Sequence, residues 1–463
     1  MLKRGWVTFI GAWLAASAAL AELSDFTGAR ARVVWCQQVD KGSDDALGRS
    51  DRFRLMGVDS ADGRGERVLL GEIRNYRKPL LSPDGETIVF SDWGKREFYA
   101  VSWGSTKIRR LGTGMALDVW LDPKTGHQWV YAITREHYWE RFRGTMVTRF
   151  RLDDPTVYQL AWEGSVVSAD NWQLSRDGMI AGGLFPWPKG GLADLRDKTL
   201  DKKGRGCWAS MAPDNSRLFW LFDGAHRNLT FYNQAGRKWK VNINAAPGLH
   251  GHEVYHPRWS NHVEFFAMTG PYMIQVPGKG GNAIHGGGDD VEIYLGRFNE
   301  PFTEVQDWLR LTRNNRGDFF PDLWIEAADE VSAAVLTQRG YEAPSAVGEK
   351  AELIVDALVR EITPIPDPIS ILPYTNALVF HAYTIEVVAQ GALAETEVMI
   401  GHWGIRAGEK QPVAHQPGDK VRLHIEPLFN RPDLDSERQL MEISDLTLDA
   451  FVVMDESAKP SMP

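Results

Sequence analysis

Cysteine is nearly missing from this sequence: Cys36 and Cys207 are the only two in 463 residues. A disulfide-stapled scaffold needs a denser set, and a c-type haem site needs a C-x-x-C-H run that is absent. A chain of this length buries enough core to fold without a bridge, so two separate buried thiols are expected. Basic excess is missing too. The 52 Lys and Arg stand against 61 Asp and Glu, a net of −9, which speaks against the basic face of a nucleic-acid-binding protein. No segment after the N-terminal one reaches the ~18 consecutive apolar residues of a membrane span, so no transmembrane segment is expected. Helical periodicity is almost absent between residues 30 and 325.

What is present is ordinary globular composition, 43% hydrophobic and 24% charged, with an unusual abundance of Trp (18), Gly (44) and Pro (24). Met1 to Ala21 reads as a secretory signal. Lys3 and Arg4 form its positive end, Trp6 to Leu20 its short apolar core, and Ala19-Leu20-Ala21 a small-x-small cleavage site. No Cys follows to carry a lipid anchor. The mature chain is expected in the periplasm or secreted.

One phrase recurs between residues 30 and 325: a turn centred on Asp or Asn, then alternating apolar residues. It reads Leu81-Ser82-Pro83-Asp84-Gly85, Leu174-Ser175-Arg176-Asp177-Gly178 and Met211-Ala212-Pro213-Asp214-Asn215-Ser216, with looser copies at Leu121–Gly126 and Trp259–His262. Such turns tolerate positive φ and close hairpins, and the alternation suits strands. The anchors at 84, 122, 177, 214 and 261 recur on average about every 44 residues, the length of one four-stranded propeller blade. Phe320-Pro321-Asp322-Leu323-Trp324 echoes Tyr255-His256-Pro257-Arg258-Trp259. It is read as the inner strand of a sixth blade completed by strands around Arg32–Cys36, Phe53–Val58 and Arg67–Leu70. The expected fold is all-β: a six-bladed β-propeller, with seven blades as the alternative, over residues 22–326.

The repeated phrase resembles the S-P-D-G repeats of TolB-type and other WD-like bacterial propellers, over about two thirds of the chain. That resemblance implies a propeller fold and export. Some relatives carry an α/β-hydrolase domain, whose nucleophile elbow G-x-S-x-G is absent here. The α/β domain that precedes the propeller in TolB itself has no room before residue 30.

Residues 327–348 read as a linker with a short helix. From 349 to 456 the pattern is β again, with strands expected at Ala351–Ile362, Ala377–Val388, Glu397–Ile405, Lys420–Glu426 and Leu446–Val453, ahead of a tail at 457–463. Five strands in about a hundred residues suggest a small OB-like barrel or a sandwich. This segment accounts for the net negative charge, with nine Lys and Arg against nineteen Asp and Glu from residue 349 onward.

Four histidines crowd together: His250, His252, His256 and His262. His252-Glu253-Val254-Tyr255-His256 matches H-E-x-x-H, which binds zinc when a helix brings both imidazoles to one side. Pro257 and the β-favouring Val254 and Tyr255 oppose a helix, and on a strand the two imidazoles stand about 13 Å apart. No metal or other cofactor is assigned, a divalent ion in the channel being the alternative. On an inner strand His252, His256 and Arg258 share one side. With Asp322 and Trp324 of the next blade, and with His226 and His262 nearby, they form the candidate ligand-binding cluster. Most tryptophans, among them Trp120, Trp172, Trp208, Trp220 and Trp259, fall at repeated strand positions and are read as blade packing. Trp187, in a loop-like stretch, is the best sugar-stacking candidate.

The function expected is binding or scaffolding of a protein or polysaccharide through the propeller funnel or loop face. No catalytic motif favours an enzyme. The alternative is a metal-assisted glycan lyase or hydrolase with its site in the channel, Arg258 clamping a carboxylate and a His or Asp as base. That alternative needs three of the His and Asp side chains within about 4–5 Å of one point. If the N-terminal reading holds, intact-mass analysis of the exported protein gives a mature chain beginning at Glu22; a chain retaining Met1 contradicts it.

Overall fold

The structure is a computed structural model that describes residues 22–41, 50–136, 143–169, 171–249, 252–272, 288–327, 353–445 and 448–454. The signal segment, almost all of the linker, the tail and His250 lie outside the described residues. A helical turn at 22–27 precedes the first strands. These are β1 (Ala31–Gln38), β2 (Phe53–Asp59) and β3 (Arg67–Arg74).

Five four-stranded sheets follow in chain order, each a simple antiparallel meander. The first blade is β4 (Tyr76–Leu81), β5 (Thr87–Asp92), β6 (Glu97–Ser102) and β7 (Arg109–Thr113). The second is β8 (Met115–Leu121), β9 (Gln128–Glu136), β10 (Arg143–Arg151) and β11 (Tyr158–Ser168). The third is β12 (Trp172–Leu174), β13 (Ile180–Leu184), β14 (Lys189–Asp194) and β15 (Thr199–Arg205). The fourth is β16 (Cys207–Met211), β17 (Phe219–Phe222), β18 (Asn228–Tyr232) and β19 (Lys238–Asn242). The fifth is β20 (Glu253–Trp259), β21 (Phe265–Tyr272), β22 (Glu292–Phe298) and β23 (Val305–Arg310). Then β24 (Asp318–Ile325) pairs antiparallel with β1, giving a sixth sheet ordered β24-β1-β2-β3. The blade count and its closure by both ends of the repeat region are as the sequence predicts.

The turn phrase acts through side chains. Ser82 Oγ lies 2.6 Å from Asp84 Oδ1, which accepts the Glu86 N–H at 3.0 Å, while the Thr87 N–H donates to Ser82 Oγ at 2.8 Å. Ser175 and Asp177 repeat this arrangement. The Gly that ends each phrase serves a second purpose. Trp324 and Trp120 donate their indole N–H groups to Pro83 O and Arg176 O in the turn of the following blade. Their rings lie where a Cβ on Gly85 or Gly178 would be, at 2.7 and 2.3 Å. Between the fourth and fifth blades, Trp220 and Trp259 stack with centroids 4.2 Å apart. The five tryptophans assigned to packing are all buried. Cys36 and Cys207 are separate buried thiols.

The described residues fall into two compact units, the propeller and a unit made of Asp223–His226 with the residues from Leu353 onward. The second unit holds β25 (Leu353–Glu361), β26 (Ala377–Gln390), β27 (Glu397–Arg406), β28 (Glu409–Lys410), β29 (Lys420–Pro427), β30 (Arg438–Leu440) and β31 (Asp449–Val453). Five of these close a barrel in the order β25-β26-β27-β31-β29 and back to β25, with β27 and β31 parallel. That is the strand order of an OB-type Greek-key barrel, which decides between barrel and sandwich. Val355, Tyr383, Ile400, Ile425 and Phe451 fill it. Among the described residues no helix is long and apolar enough to cross a membrane.

Two glycines in left-handed turns separate backbone cost from steric cost. Gly126 (φ 71°) has open space where a Cβ would go, whereas at Gly178 (φ 69°) the Trp120 ring occupies it. Gly126→Ala should cost only the conformational ~1–2 kcal/mol, and Gly178→Ala about 2–5 kcal/mol. Urea unfolding followed by Trp fluorescence compares them; equal losses would remove the role given to the tryptophan clasp.

Candidate functional site

Four inner strands place a non-glycine residue in the left-handed region at equivalent points: Lys78 (φ 42°), Trp208 (38°), His256 (53°) and Phe320 (54°). Each marks a β-bulge. The pairing registers shift between Arg77 and Leu80, between Cys207 and Ser210, between Tyr255 and Arg258, and opposite Phe320 and Pro321. In three of them proline follows (Pro79, Pro257, Pro321), and having no N–H it forfeits no ladder bond there. A bulge re-aims the side chains around it, and here it turns them toward the propeller axis.

The result is an axial pocket lined from five of the six blades. Lys78 comes from the first, Asn171 from the start of the third, Trp208 from the fourth, His256 and Arg258 from the fifth, and Phe320 from the sixth. Its enclosed space is about 10 Å³, room for about one water-sized group. It suits a single polar group rather than a saccharide ring.

Arg258 forms the floor. Its Nε donates to Asp322 Oδ1 at 2.7 Å, and its Nη2 donates to Asp118 Oδ1 at 3.1 Å. Asp322 is in the neighbouring blade and Asp118 in the blade opposite, so the guanidinium spans the channel. Burial pushes both carboxyls up, Asp118 to about 6, with Arg258 pulling the other way. The third guanidinium nitrogen, Nη1, is buried with no hydrogen-bond partner.

His256 lies behind the floor, buried, its Nδ1 3.0 Å from Thr269 Oγ1. Thr269 Oγ1 also lies 3.1 Å from Tyr255 O and 2.9 Å from the Tyr272 hydroxyl, which joins His256 to a buried polar network. Burial, and then the cations of Arg77 and Lys78, hold this imidazole well below its usual range, so it is neutral. His256 Nε2 and Asn171 Oδ1 are both buried without a partner. Lys78 Nζ donates to Ala169 O.

Of the residues singled out from sequence, His256 and Arg258 line the pocket and Asp322 anchors its floor. His252 is not among the lining residues: it precedes β20, and a first register shift between Glu253 and Tyr255 breaks the two-residue alternation that put it on one side with His256 and Arg258. His226 belongs to the second unit, its Nε2 2.9 Å from the Tyr374 hydroxyl. His262 sits in the β20–β21 turn against Phe265, centroids 5.2 Å apart. Trp324 lies over Gly85 and beside Arg32, where it joins blades. Trp187 is partly buried, its indole N–H donating to Cys207 Sγ at 3.0 Å. Sequence reasoning passed over Asp118, Lys78 and Asn171. The signals were present in two cases: Asp118-Val119-Trp120 repeats Asp322-Leu323-Trp324, and Lys78-Pro79 repeats His256-Pro257.

No known protein-family profile matches the chain, and no curated protein does. Among solved structures, one described as TolB from Agrobacterium tumefaciens is 12% identical, covering 63% of this chain and 90% of its own, with a TM-score of 0.39. The nidogen/laminin complex supplies a chain 8% identical over 63% of this one and 98% of its own, TM-score 0.40. An oligogalacturonate lyase in complex with manganese is 14% identical over 37% of this chain and 50% of its own, TM-score 0.28. The likeness is one of fold. Identities and scores this low transfer no ligand and no residue role.

In the second unit His381, His402 and His415 gather around Tyr383, whose hydroxyl lies 2.8 Å from His402 Nε2 and 2.9 Å from His415 Nδ1. Burial, then His402 beside it, lowers His381 to about 3. Among the described residues no three His, Cys, Asp or Glu side chains are placed to share a metal ion.

Arg258→Met leaves two buried carboxylates without their counter-charge and should cost about 3–5 kcal/mol at about pH 8. The sign of the pH effect follows from Asp118. Its folded value is raised, so the native state keeps a proton that the unfolded chain releases between about pH 4 and 6. This group's contribution is therefore full below the ordinary carboxylate range and lost as pH rises through about 6. The Arg258→Met deficit should shrink at about pH 5, where Asp118 carries its proton. Chemical denaturation at both pH values measures it; a pH-independent deficit would contradict the assignment.

Proposed function

We propose that the chain is a binding protein of the cell exterior that takes a polar end group of a protein or polysaccharide into the propeller axis. One observation carries this reading: three buried polar atoms, Arg258 Nη1, His256 Nε2 and Asn171 Oδ1, lack partners on residues that line one pocket. Buried polar groups are in general paired, and three unpartnered ones on residues lining one pocket are what a single small polar group placed there would satisfy. Export rests on Met1–Ala21. The lyase or hydrolase reading loses support because its candidate residues do not converge: His226 pairs with Tyr374 in the second unit, His262 packs on Phe265 in the β20–β21 turn, and Arg258 already holds two carboxylates.

The test uses the full mature chain on a sensor surface against neutral and acidic polysaccharides and a panel of peptides. One class should bind, and Asn171→Leu should weaken it by tenfold or more, the loss of about one buried hydrogen bond. Unchanged affinity in the variant overturns the axial assignment. Chain cleavage during incubation, read as new reducing or unsaturated ends, overturns the non-catalytic one.

A further inference from the structure

We propose that residues 363–374, in the loop between β25 and β26, are an acid-released latch held shut by two neutral histidines, His381 at its start and His226 at its end. Thr363 is knotted to β26. Its backbone N–H donates to His381 Nδ1 at 3.1 Å, its hydroxyl donates to Phe380 O, and its Oγ1 accepts the Glu442 N–H at 2.9 Å. A backbone N–H can only donate, so His381 Nδ1 carries no proton while the loop is closed. At the other end Tyr374 is buried, its hydroxyl 2.9 Å from His226 Nε2. Arg438 Nη1 stands 3.4 Å from His226 Nδ1. A guanidinium likewise only donates, so Nδ1 is the acceptor and Nε2 directs its proton at Tyr374. Both contacts require the neutral imidazole. A further proton sets N–H against N–H at His381, and at His226 it sets a cation beside the Arg438 cation.

The surroundings bias both rings the same way. His402 of β27 stacks on His381 with centroids 5.1 Å apart, and Tyr383 of β26 and His415 each stand at 6.4 Å. Burial, then His402 and His415, lower His381, against a weaker pull from the Phe380 backbone. Arg438 faces His226 from β30; the carboxylates on the segments around it are Asp223, Asp435 and Glu437, the last accepting from the Asn376 amide at 3.2 Å. Glu361 of β25 accepts the Ser444 N–H at 2.8 Å. A lowered imidazole means that the closed loop binds fewer protons than the open one. The latch is therefore at full strength above the ordinary range near ~6.5 and weakens as pH falls toward about 3. Release ends at Asn376, whose side-chain oxygen accepts the Ala407 N–H at 2.8 Å. Opening would uncover Ile371 and Tyr374, now buried, beside Ile369 and Leu372, already exposed. Acid thus turns this loop into an apolar face.

Hydrogen exchange of the full mature chain between about pH 7.5 and 4.5 tests this, read as protection factors so that the intrinsic pH dependence of exchange cancels. The Thr363 and Tyr374 amides are hydrogen-bonded in the closed loop. Below about pH 6 their protection should fall about tenfold per pH unit for each histidine that charges, while amides in β25, β26 and β27 keep theirs. His381→Asn offers the Thr363 N–H an acceptor that takes no proton and should flatten the fall at Thr363. His226→Gln should do the same at Tyr374. Thermal unfolding shows whether each variant folds, and where neither does, the wild-type profile decides. Protection in the loop that ignores pH, or that is lost together with the strands, overturns the proposal. An undiminished fall at Thr363 in a folded His381→Asn overturns it as well.

Discussion

A single guanidinium holds the centre of this propeller. Arg258 reaches from the fifth blade to Asp322 in the sixth and across the axis to Asp118 in the second. Burying two carboxylates and one cation is costly unless every oxygen finds a donor, and here each does. The oxygen that Arg258 does not take accepts a backbone N–H from the next blade: Asp322 Oδ2 from Leu81 at 2.7 Å, Asp118 Oδ2 from Leu174 at 2.9 Å. The charge cluster is thus also a pair of seams.

The other four seams are closed by neutral versions of the same device. Ser91 Oγ accepts the Ala116 N–H, Asn215 Oδ1 that of Asp177, Ser210 Oγ that of Trp259, and Asn261 Oδ1 that of Ile325. Blade packing is apolar and tolerant of sliding, whereas these bonds fix how far each sheet sits along the axis. The bulges need that fixity. A left-handed residue in mid-strand is held only where its surroundings over-determine it, and four of them surround the pocket.

How much of this the sequence discloses depends on distance along the chain. The turn phrase, the blade count and the pairing of β24 with β1 were legible because each repeat states its own hairpin locally. The five barrel strands were legible from alternation, as in β25, whose inward residues Leu353, Val355, Ala357 and Val359 are buried. The site was legible in part. Arg258, His256 and Asp322 announced themselves as polar residues on inner strands. The bulge did not, because an alternation rule assumes an unbroken ladder, and so His252 was placed beside His256. His226 was misread because a residue's place in a blade loop says nothing of which unit will claim it. Asp118 was missed for a different reason: its partner Arg258 is 140 residues away, and only the repeat of Asp322-Leu323-Trp324 in Asp118-Val119-Trp120 points to it.

The sixth sheet joins strands from opposite ends of the repeat region, and Trp35 in β1 donates its indole N–H to Asp318 at the start of β24, 283 residues later. Until β24 is made, the nascent chain carries β1 as an open edge with a row of unsatisfied amides, the arrangement most prone to pairing with a neighbour's strand. The ring therefore imposes an order of assembly: five blades can form as they emerge, and the last waits for its partner. A propeller closed this way resists fraying once complete, because no blade has a free end to peel from, but its folding is governed by the slow meeting of distant segments.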